Sequence, residues 1–441
     1  MAASTQFGIE TVAVIGAGPS GIAAAKITVF EQRSRVGGIW NTDFGSPAAD
    51  ATAYPSPVYH EMESNIPSEI MQYHNKPFPP DVPLLPDAEQ VLRYLRAYAE
   101  DVIPHIQLKL RHEVIDTRPM PPSNWVLKVR DLETETLVEE VYDAVVVANG
   151  RYNKPYEPTI PGLYAWKQRY PDTVLHSKYF RDAKRFKDKK VLIIGFSSSG
   201  VDLANAIEPL CSKPLLICQK SADGLSPGSK GFAEGRTVLP SIIGFNAEDR
   251  SVLFSNGVEE LGIDNVLLCT GYEYEYPFLS SLPGFENGRG DGNDQTYQHI
   301  FYMNNARLSF ITAPLRVVAF PFAETQAAVV ARVWSGRLSL PSNEDMVSWV
   351  ERTKKLKGSG KDFHKMSYPD DADYMDEMYN WCQQAKSKQT GKSLAAPSWG
   401  KRERWLRGIL HDIRRATEAR GEERFLVKTV EDAGFQYTDN L

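Results

Sequence analysis

The sequence has no closely spaced cysteine pair. Its four cysteines, Cys211, Cys218, Cys269 and Cys382, form no C-x-x-C motif. Disulfide frameworks, structural zinc and dithiol redox chemistry use such spacings, so none of these and no metal site is expected, and a reducing cytosol fits. Long apolar runs are also missing. No stretch reaches the roughly 18 residues of a membrane-spanning helix, so no transmembrane anchor is expected. Met1–Glu10 lacks the basic and apolar regions of a signal peptide. There is no basic excess: 50 Lys and Arg against 56 Asp and Glu leave a net charge of −6. That argues against nucleic acid or an anionic membrane as partner. No repeat of solenoid period occurs, and no G-x-S-x-G marks a hydrolase nucleophile. What is there is globular: 441 residues, 42% apolar and 24% charged, enough for two or more domains.

The most informative stretch runs from Val12 to Asn41. A short apolar run, Val12 to Ile15, reads as a buried parallel strand. Gly16, Gly18 and Gly21 follow as G-x-G-x-x-G. In such a turn the first glycine permits the tight bend and the second lets backbone approach a pyrophosphate. The third lets the next helix pack close. Pro19 suits a first helical position, with Ser20 behind it, and the helix start would face phosphates. Residues 27–30 read as a second strand ending at Glu31, a carboxylate suited to a ribose. Gly37, Gly38 and Trp40 come almost at once, as expected when the dinucleotide is FAD. The spacing is short. An acid about twenty residues past the turn is usual, whereas Glu31 lies fifteen after Gly16. Only residues 16–26 connect the strands, at the floor of roughly 10–12 residues for a crossover. Either the crossover is compressed or about ten residues are missing at the Lys26–Ile27 junction.

Further along, residues 42–90 are proline-rich and read as loops, with Asn65 among them. Ala88–Val102 has helical periodicity. Three runs, 106–110, 113–117 and 125–130, read as strands of one small sheet. A second apolar strand, residues 189–194, leads into Gly195-Phe196-Ser197-Ser198-Ser199-Gly200, a dinucleotide turn with serine at the middle glycine. The next strand ends near Lys220 rather than at an acid, which favours a 2′-phosphate and hence NADPH over NADH. A strand ending in Thr270 and Gly271 would return the chain to the first domain. Residues 323–334 read as its closing helix, with Glu324 and Gln326 at the start. Trp405, Leu406, Ile409 and Ile413 form an apolar face in the tail, suited to packing on the body or, less simply, to lying on a membrane.

With these motifs in order over nearly its whole length, the chain resembles the flavin-containing monooxygenases, in a fungal-type soluble form. Ser64-Asn65, Ala148-Asn149-Gly150, Cys269 to Tyr272 and Pro321 to Ala328 add to the match. In the family fingerprint F-x-G-x-x-x-H-x-x-x-(Y/W), His176 matches, while Tyr170, Asp172 and Phe180 depart from it. The resemblance implies α/β architecture: two Rossmann-like, three-layer dinucleotide domains, with an NADPH domain (166–299) inserted in an FAD domain (1–165 and 300–441). It implies hydride transfer from NADPH to FAD and addition of O₂ as a C4a-hydroperoxide. One oxygen then passes to a soft sulfur or nitrogen of a small molecule. Asn65 would support the oxygenated flavin, and His176 would act in chemistry or in interdomain positioning. Each residue also has a plainer reading: Asn65 as a turn residue, His176 as a satisfied strand histidine, Lys220 as a surface lysine, Trp40 as core. Two alternatives stand beside this: Baeyer–Villiger oxygenation of a ketone, which Phe180 disfavours, and a flavin-deficient homologue with a damaged first crossover. A homo-oligomer is left open.

Overall fold

The computed structural model describes residues 8–24, 28–42, 54–220, 235–288, 293–387 and 395–438. The chain is α/β and forms two compact units. The first comprises Met1–Asp50, Glu61–Arg151 and Tyr274–Leu441; the second comprises Ala51–His60 and Tyr152–Glu273. The divisions therefore fall at 151/152 and 273/274, not at the expected 165/166 and 299/300. Packing explains the difference. Tyr276, Phe278, Leu279 and Phe285 bury themselves with Phe310 in the first unit's core, whereas Leu163 and Trp166 join the core of the second.

The first unit is built around β1 (Val12–Ile15), α1 (Pro19–Ala24) and β2 (Thr28–Glu31). β1 lies parallel to β2 on one side and to the strand Ala144–Val147 on the other. Strand Gln107–Leu110 continues the parallel sheet beyond β2, and Leu308–Phe310 continues it beyond Ala144–Val147. Alternation sorts the side chains onto two faces. Val14, Val29 and Val146 pack with Phe322 and Val329 of the helix Ala319–Trp334. Ala13, Ile15, Val145 and Val147 pack with Trp125 and Leu127 of a three-stranded antiparallel sheet. Because both faces are covered, the central strands are apolar throughout.

The second unit repeats the theme. Its five parallel strands lie in the order Arg236–Leu239, Leu215–Cys218, Val191–Ile194, Asn265–Leu268 and Val174–His176. The helix Ser198–Ile207 buries Leu203, Ala204 and Ile207 against Val191, Ile193 and Leu215.

Two local expectations are corrected. Gln107–Leu110 pairs with β2 in the main sheet, so only the runs at 112–120 and 124–131 join the small sheet, with Leu137–Tyr142 as its third strand. The closing helix begins at Ala319, four residues early, because Pro321 falls within the first turn, where a missing N–H costs nothing. Glu324 and Gln326 accordingly sit beyond that turn rather than at the helix start. On either side of the short crossover, α1 is six residues long, about 9 Å at 1.5 Å per residue, and the pairing Ala13↔Thr28 to Ile15↔Phe30 is regular. The Lys26–Ile27 junction itself lies outside the described residues.

The tail from Pro341 is helical, as Asn343–Lys357, Asp370–Gln383, Lys401–Gly408 and Leu410–Glu418. Leu406 and Ile413 are fully buried, and Trp405 and Ile409 pack on the same core. The tail's apolar face is thus spent on the body. Among the described residues no helix is long and apolar enough to cross a membrane.

Candidate functional site

In the first unit, the turn after β1 is shaped by contacts that only glycine permits. A Cβ on Gly21 would lie 1.8 Å from the Gly16 carbonyl oxygen, and Gly16 itself has φ +104°. Gly18 faces Gly38: a Cβ on Gly38 would come within 2.9 Å of the Gly18 Cα. The glycine pair after β2 is therefore packed on the dinucleotide turn, and Gly37 N–H bonds the Ala17 carbonyl at 3.0 Å. Trp40 ends a short 3₁₀ turn, Gly38–Trp40, half-buried against the core.

Glu31 is buried at the end of β2. Its Oε2 accepts Ala17 N–H at 2.8 Å and its Oε1 accepts Arg33 N–H at 2.9 Å. A carboxylate offers about four lone-pair sites, so bracing the turn is compatible with accepting from a ribose. Pro19 and Ser20 open α1. The Pro19 carbonyl accepts from the Tyr73 hydroxyl at 2.7 Å, and Ser20 Oγ bonds Thr312 Oγ1 at 2.9 Å. Tyr73 is fully buried, stacked on Tyr98 with centroids 3.9 Å apart and on Phe320 at 5.3 Å. Burial drives its hydroxyl pKa well above the usual value. It ties the turn, the helix Ala88–Val102 and the closing helix together.

Glu324 accepts the His74 N–H at 2.8 Å, and burial raises its carboxyl pKa despite that bond. Gln326 is fully buried. Its Oε1 accepts Thr312 N–H at 2.7 Å and its Nε2 donates to the Tyr374 hydroxyl at 3.0 Å. Asn65 is exposed. The turn before Pro67 is closed by Ser64, whose Oγ accepts Ile66 N–H at 3.1 Å. The turn-residue reading thus belongs to Ser64, and the Asn65 side chain has no hydrogen bond among the described residues.

The second unit reproduces the same turn. A Cβ on Gly200 would lie 2.3 Å from the Gly195 carbonyl oxygen, and one on Gly195 would lie 2.5 Å from that of Cys269. Ser197, Ser198 and Ser199 are exposed at the start of the helix Ser198–Ile207, and Ser197 makes no side-chain cap bond. Lys220 is exposed just past the strand Leu215–Cys218, and beside it the buried Gln219 Nε2 has no partner among the described residues. An open helix start, three hydroxyls, a cation and an orphaned donor suit a phosphorylated ribose and pyrophosphate.

His176 is buried at the end of its strand. Its Nε2 bonds the Gly271 carbonyl at 3.0 Å and its Nδ1 accepts Lys178 N–H at 3.1 Å. Burial lowers its pKa. Both ring nitrogens are thus engaged within the second unit. Thr270 donates to the Tyr156 carbonyl, and Gly271 accepts Tyr156 N–H, so this pair fastens the strand end to the segment before the second unit's sheet.

Sequence reasoning missed Tyr73, Thr312 and Tyr374. A tyrosine in a proline-rich stretch, a threonine in a loop and a tyrosine in a charged tail carry no local signal; their roles arise from partners distant in sequence.

Two glycine turns on two parallel sheets, the first braced by an acid and the second followed by a cation, suit an α/β protein with two dinucleotide sites. The comparisons narrow this. A family model described as "Flavin-binding monooxygenase-like" matches residues 9–226 and 234–395. The chain belongs to that family, whose standard cofactors are FAD and NADPH. It is 33% identical to the Arabidopsis thaliana protein named "Flavin-containing monooxygenase FMO GS-OX-like 2", over 84% of this chain and 83% of that one. Among solved structures, S-allyl-L-cysteine S-oxygenase from Allium sativum has a TM-score of 0.76 and 28% identity, over 94% of each chain. Cyclohexanone monooxygenase shares the fold alone, with a TM-score of 0.58 and 13% identity over 83% of this chain and 96% of that one.

Proposed function

We propose that this chain is an FAD- and NADPH-dependent monooxygenase that oxygenates a soft sulfur or nitrogen of a small molecule, in a reducing cytosol. The observation that carries the reading is the likeness to the garlic S-oxygenase over nearly the full length of both chains. It makes a thioether the first substrate class to try.

In this reading the first unit holds FAD: Gly16, Gly18, Pro19, Ser20 and Gly21 at the pyrophosphate, Glu31 at the ribose, and Gly38 and Trp40 beside them. The second holds NADPH through Gly195, Ser197, Ser198, Ser199 and Gly200, with Lys220 at the 2′-phosphate. The bound flavin supplies hydride uptake and activation of O₂, the oxygenated-flavin route of the family. The protein supplies placement and exclusion of water. Asn65, exposed and without an internal partner, would offer its amide beside the flavin. Glu324 and Gln326 brace the segments around that ring, His176 sets the strand end of the NADPH unit, and Thr270 and Gly271 support the same end. The overall reaction balances as NADPH, a proton, O₂ and a thioether giving NADP⁺, water and the sulfoxide.

The test is a visible spectrum of the purified protein, then NADPH oxidation in air with a thioether, a tertiary amine and a cyclic ketone in parallel. Sulfoxide or N-oxide formed in step with NADPH use supports the proposal. Ester from the ketone alone would support the Baeyer–Villiger alternative. Protein that stays colourless in excess FAD would support the flavin-deficient one.

A further inference from the structure

The loop between the strand Leu308–Phe310 and the closing helix holds one residue in a backbone conformation it should avoid. Thr312 has φ +59°. A β-branched side chain in the left-handed region is a genuine outlier, and such strain persists only where the surroundings over-determine it. Here all three polar groups of the residue are tied. Its N–H donates to Gln326 Oε1 at 2.7 Å, its carbonyl accepts Arg151 Nη1 at 2.6 Å, and its Oγ1 meets Ser20 Oγ at 2.9 Å. Gln326 is held in turn by the tail: its Nε2 donates to the Tyr374 hydroxyl, which donates to the Gln298 carbonyl at 2.7 Å. Tyr374 itself is buried and stacked on Phe322 at 4.9 Å.

Two hydroxyls that share one hydrogen bond keep one hydrogen between them. Among the described residues none accepts it from Ser20 or Thr312. Ser20 Oγ is the donor to Thr312 Oγ1, so the remaining hydrogen is that of Thr312, which is only 6% exposed. It lies at the first turn of α1, beside the glycines that admit a dinucleotide, and so calls for an acceptor there.

We propose that Ser20 and Thr312 form a hydroxyl pair that donates to a phosphate oxygen of the flavin dinucleotide, and that Tyr374 is a positioning residue acting through Gln326. The proposal rests on the first unit's being the flavin site. It assigns the helical tail a part in cofactor binding: the bond chain from Tyr374 holds Thr312 in the strained conformation that presents its hydroxyl to the turn.

The experiment strips the full-length protein of flavin and titrates FAD, following quenching of flavin fluorescence, with thermal melting of the stripped protein measured alongside. Thr312→Val keeps the shape and removes the hydroxyl. It should weaken FAD binding by about tenfold or more, the loss expected for a hydrogen bond to a charged group, while melting within about 2 °C of wild type. Thr312→Ser restores the hydroxyl and should bind within about threefold of wild type. Thr312→Gly relieves the left-handed strain, so it should raise the melting temperature while still binding FAD weakly. A merely structural threonine would not separate stability from affinity in this way. Tyr374→Phe should weaken FAD binding by about threefold to tenfold and leave NADPH binding unchanged. Thr312→Val binding FAD as tightly as wild type overturns the hydroxyl pair, and Tyr374→Phe doing so overturns the role of the tail. Wild-type protein that takes up no FAD overturns the flavin reading, and this proposal with it.

Discussion

Glu31→Gln tests how the first turn is held. The carboxylate is 6% exposed and takes two backbone N–H groups, Ala17 at 2.8 Å and Arg33 at 2.9 Å, one on each oxygen. Glutamine has the same shape but one acceptor oxygen, so its NH₂ must face one of those donors. A buried N–H left without an acceptor costs about 1–3 kcal/mol. The surviving bond also loses its charge assistance, roughly half its strength. The sum is about 2–4 kcal/mol, which for a unit of this size lowers Tm by about 4–8 °C. Calorimetry of the flavin-free protein reads this directly. FAD affinity, measured separately, should fall by about tenfold if the same carboxylate also receives a ribose hydroxyl. A Tm within about 1 °C of wild type would refute the bracing argument. A lowered Tm with unchanged FAD affinity would leave Glu31 as a brace and remove it from the ribose.

Other outcomes follow from the same structure. Gly200→Ala puts a Cβ 2.3 Å from the Gly195 carbonyl and must displace the turn; NADPH affinity by calorimetry should fall by about tenfold or more, with the flavin spectrum retained. Lys220→Ala should raise the KM for NADPH by about tenfold and leave NADH kinetics unchanged, so the ratio of the two kcat/KM values is the readout. His299 and His364 are buried and bonded through their Nδ1 atoms at 3.1 Å. Burial lowers both pKa values, that of His364 to about 3. A folded pKa below the unfolded one makes the neutral form the stable one, so this stability is complete above about pH 6.5 and is lost as pH falls toward 3. Between pH 6.5 and 5 the loss is about 2 kcal/mol, and melting curves of His364→Gln should show a shallower acid slope than wild type.

Much of the fold is written locally. The runs Val12–Ile15 and Val191–Ile194, each followed by glycine at fixed spacing, read as strand, turn and helix because a parallel strand buried on both faces must be apolar throughout. The turns admit only glycine where a helix crosses a carbonyl, and the structure places Gly21 and Gly200 at such crossings. Cysteine spacing, the absence of a long apolar run and the acid ending β2 were legible for the same reason: each depends on neighbours in sequence. The strand Gln107–Leu110 joins the main sheet rather than the small one, and four residues of strand pattern say nothing about which partner they meet. The start of the closing helix is hidden for a like reason: a proline reads as a helix breaker, yet Pro321 sits within the first turn, where it is tolerated.

The sequence by itself determined the two glycine turns, the apolar strands feeding them and the acid and cation that follow, since these are set by spacings of a few residues. Only the tertiary structure decided what holds them. Tyr73 reaches Pro19 from 54 residues away and Thr312 reaches Ser20 from 292. Gln326 meets Tyr374 across 48 residues. A polar side chain shows its type in the sequence, but its partner is chosen by the packing of elements far apart in the chain, and no local pattern records that choice.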